Sequence, residues 1–301
     1  MDVRIYQFLI SSLLTYLLVA IILPQLRRNL LDTPNLRSSH TLPTPRGGGI
    51  AFVIVGTLLN YIFTTGPLRW IPILCLPLAI IGMLDDYKDL PAIWRYITQF
   101  LTATALVYVA QIQVQTWEIP IIIFMITAII NFINFMDGLD GLVAGCSVFL
   151  FAAISNWSIS GAIFGFLVWN WSPSKVFMGD VGSTFIGAVF AGLALQQPTS
   201  QEVLSVLLLG FPLFGDAATC VVRRLLNGKN IFKAHKQHLY QRLNQAGWSH
   251  KHVALLYIVC IFSLLLARSM LDFQFFLVLI FAEFLLAIIL DRLVAKKFGQ
   301  C

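Results

Sequence analysis

Apolar runs close to the ~20 residues needed to cross a bilayer as helix recur along almost the whole of this 301-residue chain. Backbone buried in hydrocarbon must satisfy its own hydrogen bonds, so only helices and closed barrels are open to such a sequence. A barrel would show segments of ~10 residues with alternating polarity, and none is visible. Charged residues make up 11% of the chain and hydrophobic ones 58%, whereas soluble domains are roughly a quarter charged. The expected fold is therefore all-α: a polytopic membrane protein, with residues 1–301 as a single domain.

The first run, 5–26, is too long for the apolar core of a signal peptide and ends in Pro24 and Arg27-Arg28 with no small-residue cleavage site, so it is read as a retained span. Further spans are expected near 48–65, 70–84, 92–110, 119–134, 139–155, 158–170, 183–197, 203–222, 252–268 and 274–290. The stretch 139–170 is long for one helix and short for two, with Ser155-Asn156-Trp157-Ser158 as the turn. Charge decides between them. Eleven spans, with the N-terminus outside and the C-terminus cytoplasmic, place all of the 20 basic residues except Arg4, Arg69 and Arg268 inside. One span fewer would put the basic loop 223–251 on the wrong face.

Six of the 14 acidic residues lie in three short motifs where apolar runs end: Asp85-Asp86-Tyr87-Lys88-Asp89, Asn134-Phe135-Met136-Asp137-Gly138-Leu139-Asp140-Gly141, and Phe177-Met178-Gly179-Asp180. A carboxylate at a membrane helix centre costs roughly 2.5–3.5 kcal/mol on insertion scales, so such acids are seldom idle. The span arrangement puts all three on the cytoplasmic side. If helix continues past Lys88, Asp89 joins Asp85 and Asp86 on one side, and crowded carboxylates raise a pKa or recruit a divalent cation; the plainer reading is a solvated cap with Lys88 and Arg95 as partners. Asn131, Asn134, Asp137 and Asp140 recur every three residues and offer hard oxygen ligands that suit Mg²⁺. Asp180 sits between glycines just before a span, either as a metal ligand beside phosphate-binding backbone N–H groups or simply as an N-cap.

The remaining polar features are weaker. Gly47-Gly48-Gly49 is not a Walker A loop, because no Gly-Lys-Ser/Thr follows. The loop 232–242 mixes bases with His235 and His238 and suits a polyanion such as a diphosphate. Neither histidine has a Cys/His quartet beside it, so zinc is not expected there. The five cysteines form no CxxC pair and no disulfide framework. Asp216, inside the ninth span, is expected to pair with Arg223 or Arg224. The net charge of +6 has no basic-aromatic domain behind it, so nucleic acid is excluded as a partner. Acids for a metal, bases for phosphates and a membrane setting together point to phosphoryl transfer onto a lipid.

Five ordered motifs between Thr33 and Trp248 resemble those of the polyprenyl-phosphate N-acetylhexosamine-1-phosphate transferases: the His40-to-Gly49 loop, Asp85-Asp86, Asn131-to-Gly141, Val176-to-Ser183 and the histidine loop. The resemblance implies a multi-pass enzyme of the bacterial inner membrane with its active site on the cytoplasmic face. Its substrates would be a UDP-N-acetylhexosamine and undecaprenyl phosphate, its products the lipid diphosphate sugar and UMP, starting a surface polysaccharide. It implies Mg²⁺, with Mn²⁺ as a substitute, held by Asn134 and Asp180. Asp85, Asp86, Asp137 and His238 would be catalytic, the first two acting on the lipid phosphate. His40, Arg46, Asp140, Asn170, Phe177 and His235 would face the nucleotide or the phosphates. A homodimer is compatible with it. Where relatives often show several adjacent histidines, this chain reads His238-Leu-Tyr-Gln-Arg with His235 upstream, which resembles the branch using UDP-FucNAc or UDP-QuiNAc and leaves the sugar open between these and GlcNAc. Two other classes compete. A transporter would place its carboxylates at the midplane and show an inverted repeat; a CDP-alcohol phosphatidyltransferase would show Asp-Gly-x-x-Ala-Arg, and Asp137-Gly-Leu-Asp-Gly-Leu departs from it.

Overall fold

The computed structural model describes residues 2–34, 42–110, 115–230 and 235–299, and each expected apolar run carries helix. Helix α1 (Val3–Asn29) leads into strands β1 (Leu31–Asp32) and β2 (Thr44–Pro45), followed by α2 (Ile50–Phe63), α3 (Ile71–Leu74), α4 (Leu76–Lys88) and α5 (Ala92–Ala110). Next come α6 (Ile119–Met136), α7 (Leu142–Ala153), α8 (Trp157–Asn170) and α9 (Asp180–Ala194). The chain closes with α10 (Ser200–Leu209), α11 (Phe211–Leu226), α12 (Leu239–Gln245), α13 (His250–Met270) and α14 (Phe273–Leu293). The two strands are a small departure from the all-α expectation. They pair antiparallel, Leu31 opposite Pro45 and Asp32 opposite Thr44, and so tether the segment entering α2 to the end of α1.

Five segments are long and apolar enough to cross a bilayer: Val3–Asn29, Pro67–Lys88, Thr116–Met136, His250–Met270 and Phe273–Leu293. The protein is thus a multi-pass membrane protein. A sixth candidate is α10 with α11, which meet at a 75° bend instead of forming the straight span expected at 203–222. Gly210 at the join and Pro212 in the first turn of α11 account for it, since proline brings no N–H to carry the helical ladder through. The turn between α7 and α8 falls where the sequence placed it: Ser155 is left-handed and the Asn156 side chain caps α8 by accepting from the Ile159 N–H at 3.1 Å.

Helix α9 is the axis of the fold. Every residue from Val181 to Ala194 is buried, against α4 and α6 and against parts of α2, α3, α5, α7 and α10. Ser183, Gly187, Ala188, Ala191 and Gly192 keep its surface thin, and small side chains are what let helices approach closely where no hydrophobic force drives them together. Helix α2 starts beside the first turn of α9, where the Gly49 N–H donates to the Met178 carbonyl at 3.0 Å. At the far end of α2, Asn60 accepts from Asn156 at 2.8 Å, and the Arg69 guanidinium lies 3.9 Å over the Tyr61 ring. The acidic motifs and Arg69 therefore occupy opposite ends of the molecule.

Candidate active site

The last turn of α4 meets the first turn of α9 with backbone almost on backbone. A Cβ on Gly82 would lie 2.5 Å from the carbonyl carbon of Asp180, so only glycine permits this approach. One turn later the Asp86 carboxylate accepts from the N–H groups of Asp180 at 3.3 Å and Val181 at 3.4 Å. Asp86 thus caps a neighbouring helix, satisfying donors that its own helix leaves open. Asp180 is therefore not the N-cap that its sequence position also allowed. It is the first residue of α9, and its carboxylate is left for other work.

That carboxylate accepts from Asn134 Nδ2 at 2.9 Å and pairs with Arg95 Nη1 at 3.2 Å. The same Arg95 nitrogen lies 3.1 Å from Asp85, whose other oxygen accepts from the Leu90 N–H at 2.7 Å. Asn134 also donates to Ser183 Oγ at 2.9 Å, and its side-chain carbonyl oxygen accepts nothing among the described residues. Four helices, α4, α5, α6 and α9, so contribute one linked group of Asp85, Asp86, Arg95, Asn134 and Asp180. Asp89 is not part of it. It leaves the helix in a left-handed conformation with its side chain 94% exposed, 3.9 Å from Arg46. Asn131 is diverted too, forming a reciprocal amide pair with Gln99 at 2.8 and 3.3 Å.

Asp137 follows α6 directly. Burial, then the charges of Asp180, Asp86 and Asp140, push its carboxyl up to about 8. Such crowding is what a divalent cation relieves. The donors joined at Asp180 are hard oxygens, its own carboxylate and the Asn134 side-chain carbonyl, with no sulfur or imidazole among them, and this pair fits Mg²⁺ or Mn²⁺.

Two loops frame the group. Asp140 accepts from Ser174 Oγ at 2.9 Å and pairs with His250 Nδ1 at 3.1 Å. Burial pushes Asp140 up, but His250, Ser174 and Ser172 outweigh it and hold the carboxyl below its usual range. Asn170, only 3% exposed, accepts from the Gly141 N–H and donates to the Val176 carbonyl, both at 3.0 Å. Its amide is fully engaged with backbone, so it braces the loops 137–141 and 172–179. The half-buried Phe177 ties in the β2 segment, its N–H donating to the Pro45 carbonyl at 2.8 Å and its carbonyl accepting from the Gly48 N–H at 2.9 Å. Arg46 stands partly exposed beside this junction. His40 lies outside the described residues.

The histidine loop is placed differently from expectation. His238 is 3% exposed, its ring stacked with those of His235 at 5.0 Å and Tyr240 at 5.7 Å, so it has no open face for a phosphate. Burial, His238 and the charges of Arg224 and Lys229 push the His235 imidazole down to about 4, which leaves it neutral. The loop reaches the acidic group through Tyr240, whose hydroxyl donates to the Phe135 carbonyl at 2.9 Å. Gly138 makes room for it: a Cβ there would lie 2.2 Å from that hydroxyl.

Asp216 is structural, but its partners are not the arginines. It accepts from the Leu239 N–H at 2.7 Å, the Tyr240 N–H at 3.0 Å and the Tyr257 hydroxyl at 2.7 Å, capping α12 from α11. Arg223 instead forms a two-pronged pair with Asp291 at 2.7 and 2.9 Å, and Arg224 donates to Gln237 at 2.7 Å. Asp216→Asn turns an NH₂ toward one of three donors and should cost about 1–3 kcal/mol. The measurement is the thermal midpoint of detergent-purified protein; an unchanged midpoint would refute the capping role.

Sequence reasoning named Arg95 as a partner of the Asp85–Asp89 acids but not as a bridge to Asp180, and it passed over Ser174 and His250 as anchors of Asp140, and Tyr240. His250 carried no signal, being 110 residues from Asp140 in the first turn of another span.

The chain is similar to known proteins. Residues 69–197 match the model of glycosyl transferase family 4. The chain is 28% identical over 300 residues to a probable undecaprenyl-phosphate N-acetylglucosaminyl 1-phosphate transferase of Bacillus subtilis, covering 86% of this chain and 84% of that one. It is 31% identical over 224 residues to the undecaprenyl-phosphate alpha-N-acetylglucosaminyl 1-phosphate transferase of Thermotoga maritima, covering 70% and 73%. A phospho-N-acetylmuramoyl-pentapeptide-transferase of Staphylococcus saprophyticus is 27% identical over 300 residues, covering 81% and 92%. With the family match spanning the acidic motifs and relatives aligned over most of their length, this chain belongs to glycosyl transferase family 4.

Proposed function

We propose that this protein transfers a HexNAc-1-phosphate from a UDP-sugar to undecaprenyl phosphate, releasing UMP. The observation that carries the reading is the Asp180 carboxylate held between Asn134 and Arg95, with Asp85 on the same arginine. An oxygen of the lipid phosphate attacks the sugar-bearing phosphorus, the bond to the UMP oxygen breaks, and the new diphosphate stays on the lipid. Little covalent work falls to the protein in such a transfer, so its residues act by position and charge.

Asp180 and Asn134 would hold Mg²⁺, which when bound neutralises charge on the transferring phosphates. Asp85 and Arg95 face the same space, and Arg95 can turn from carboxylate to phosphate as substrate enters. Asp86 acts through position, because both its oxygens hold the start of α9. Asp137 would take the proton of a singly protonated lipid phosphate, once the bound cation offsets the Asp180 charge that helps to raise its carboxyl and so returns it to the ionised form. Arg46 contributes positive charge at the rim, and Asp140, Asn170 and Phe177 shape the loops that would receive the nucleotide.

The acidic group lies at the cytoplasmic face of eleven spans, with the N-terminus outside. What supports this is the sequence reading, in which eleven spans leave only Arg4, Arg69 and Arg268 of the basic residues outside. Detergent-purified protein should release UMP only when a UDP-N-acetylhexosamine, undecaprenyl phosphate and Mg²⁺ are all present. A panel of UDP-GlcNAc, UDP-FucNAc and UDP-QuiNAc identifies the sugar. Absence of turnover with every member would sink the transferase reading.

A further inference from the structure

We propose that Cys220, His235 and His238 form a binding site for a borderline-soft divalent cation of the Zn²⁺ class, separate from the acidic centre, that pins the histidine loop to α11. One ligand atom from each of the three side chains lies within 4.8 Å of the others. Sequence spacing hides the group, because the cysteine sits inside an apolar span and the histidines follow a bend and a loop. Structure assembles it through Asp216. That carboxylate caps α12 and so draws His238 to α11, where Cys220 lies one turn beyond Asp216 on the same face.

The chemistry of the donors selects the ion. One thiolate and two imidazoles suit Zn²⁺ and are poor ligands for Mg²⁺, the reverse of the oxygen set around Asp180. Tetrahedral zinc with bonds of about 2.0–2.3 Å needs ligand atoms about 3.3–3.8 Å apart, so closure takes a movement of about an ångström. Cys220 and His238 are each 3% exposed, and Cys220 is in no disulfide. The His238 Nδ1 lies 3.7 Å from Asp216 Oδ1, so with Nε2 as the ligand atom the pair would form the carboxylate–imidazole arrangement that orients metal-ligating histidines.

The nearest guanidinium groups are held by other partners: Arg223 and Arg242 share Asp291, and Arg224 donates to Gln237. The two charges of the cation would be met by the Cys220 thiolate and the Asp216 carboxylate. Binding displaces the Cys220 proton to solvent, and a water completes the fourth position. A loop fixed in this way holds Tyr240 on the Phe135 carbonyl, next to Asp137.

The test uses the full chain in detergent, stripped with a chelator and titrated with Co²⁺. The expected result is one Co²⁺ per chain with a thiolate-to-cobalt charge-transfer band, displaced by Zn²⁺, and retained in Asp180→Asn. Cys220→Ser should abolish the band, and His235→Gln should weaken Co²⁺ affinity about 100-fold. No charge-transfer band in the unaltered protein overturns the proposal regardless of how the variants fold, and so does a band that persists in Cys220→Ser. The readout is spectroscopic, so it stands or falls independently of transferase activity.

Discussion

Asp180→Asn is expected to reduce UMP release by about 10³-fold while leaving the protein folded, the upper end of what removing one preorganised charge costs in comparable sites. The substitution is nearly isosteric. It keeps a carbonyl oxygen for the Asn134 amide at 2.9 Å and leaves the backbone N–H to Asp86 untouched. What it removes is the negative charge that a divalent cation needs, at the only carboxylate that meets both Asn134 and Arg95 among the described residues. The loss should fall mainly on kcat, because an interaction that strengthens as charge shifts between phosphates contributes to the transition state more than to binding. Raising Mg²⁺ should recover little, whereas in Asp140→Asn, whose carboxylate is tied to Ser174 and His250, activity should fall less. Full activity in Asp180→Asn would remove this residue from the metal site and with it the central assignment. A matched thermal midpoint in the two proteins guards against misfolding as the cause.

Much of the site was legible because polar residues at the ends of apolar runs are costly, and Asp85, Asp86, Asn134 and Asp180 stand out against such a background. Their division of labour was not. Which of two adjacent aspartates meets a neighbouring helix depends on the rotation of α4 at its last turn, and hydropathy carries no information on that angle. The structure gives Asp86 to α9 and Asp85 to Arg95. The bend between α10 and α11 was hidden for a related reason: a run of apolar residues reports length, not direction, and Gly210 with Pro212 marks a break only once the flanking helices are seen to diverge. Asp89 was misplaced because helix was extrapolated one residue too far, past a cap at φ 47°. The histidine loop shows the largest gap. Its basic character suggested a phosphate, yet the partners of His238 are Asp216, His235 and Tyr240, brought together by a carboxylate buried in a span.

Gly82→Ala tests whether the helix junction itself, and not only its carboxylates, sets the activity. The added Cβ would meet the Asp180 carbonyl carbon at 2.5 Å, the carbonyl oxygen at 2.6 Å and the Val181 nitrogen at 2.6 Å. All three atoms are backbone, so no rotamer change relieves the contact. Ordinary carbon contacts lie near 3.5–4.0 Å, and α4 must therefore move away from α9 by about an ångström. The Asp86 hydrogen bonds to α9, already at 3.3 and 3.4 Å, would not survive that shift. Asp180 would then turn relative to Asn134 on α6 and Arg95 on α5. A misplacement of this size costs about 10² in rate, and overpacking costs about 1–3 kcal/mol of stability. Gly187→Ala makes the comparison sharp. Two turns further along α9, its Cβ would lie 2.7 Å from the Ile130 Cα, a similar clash at a distance from the acids. Both variants should lose thermal stability to a like degree, while only Gly82→Ala loses about 100-fold in kcat per folded molecule. Equal kcat in the two would mean that the activity follows stability, and that the close approach of α4 and α9 does not position Asp180.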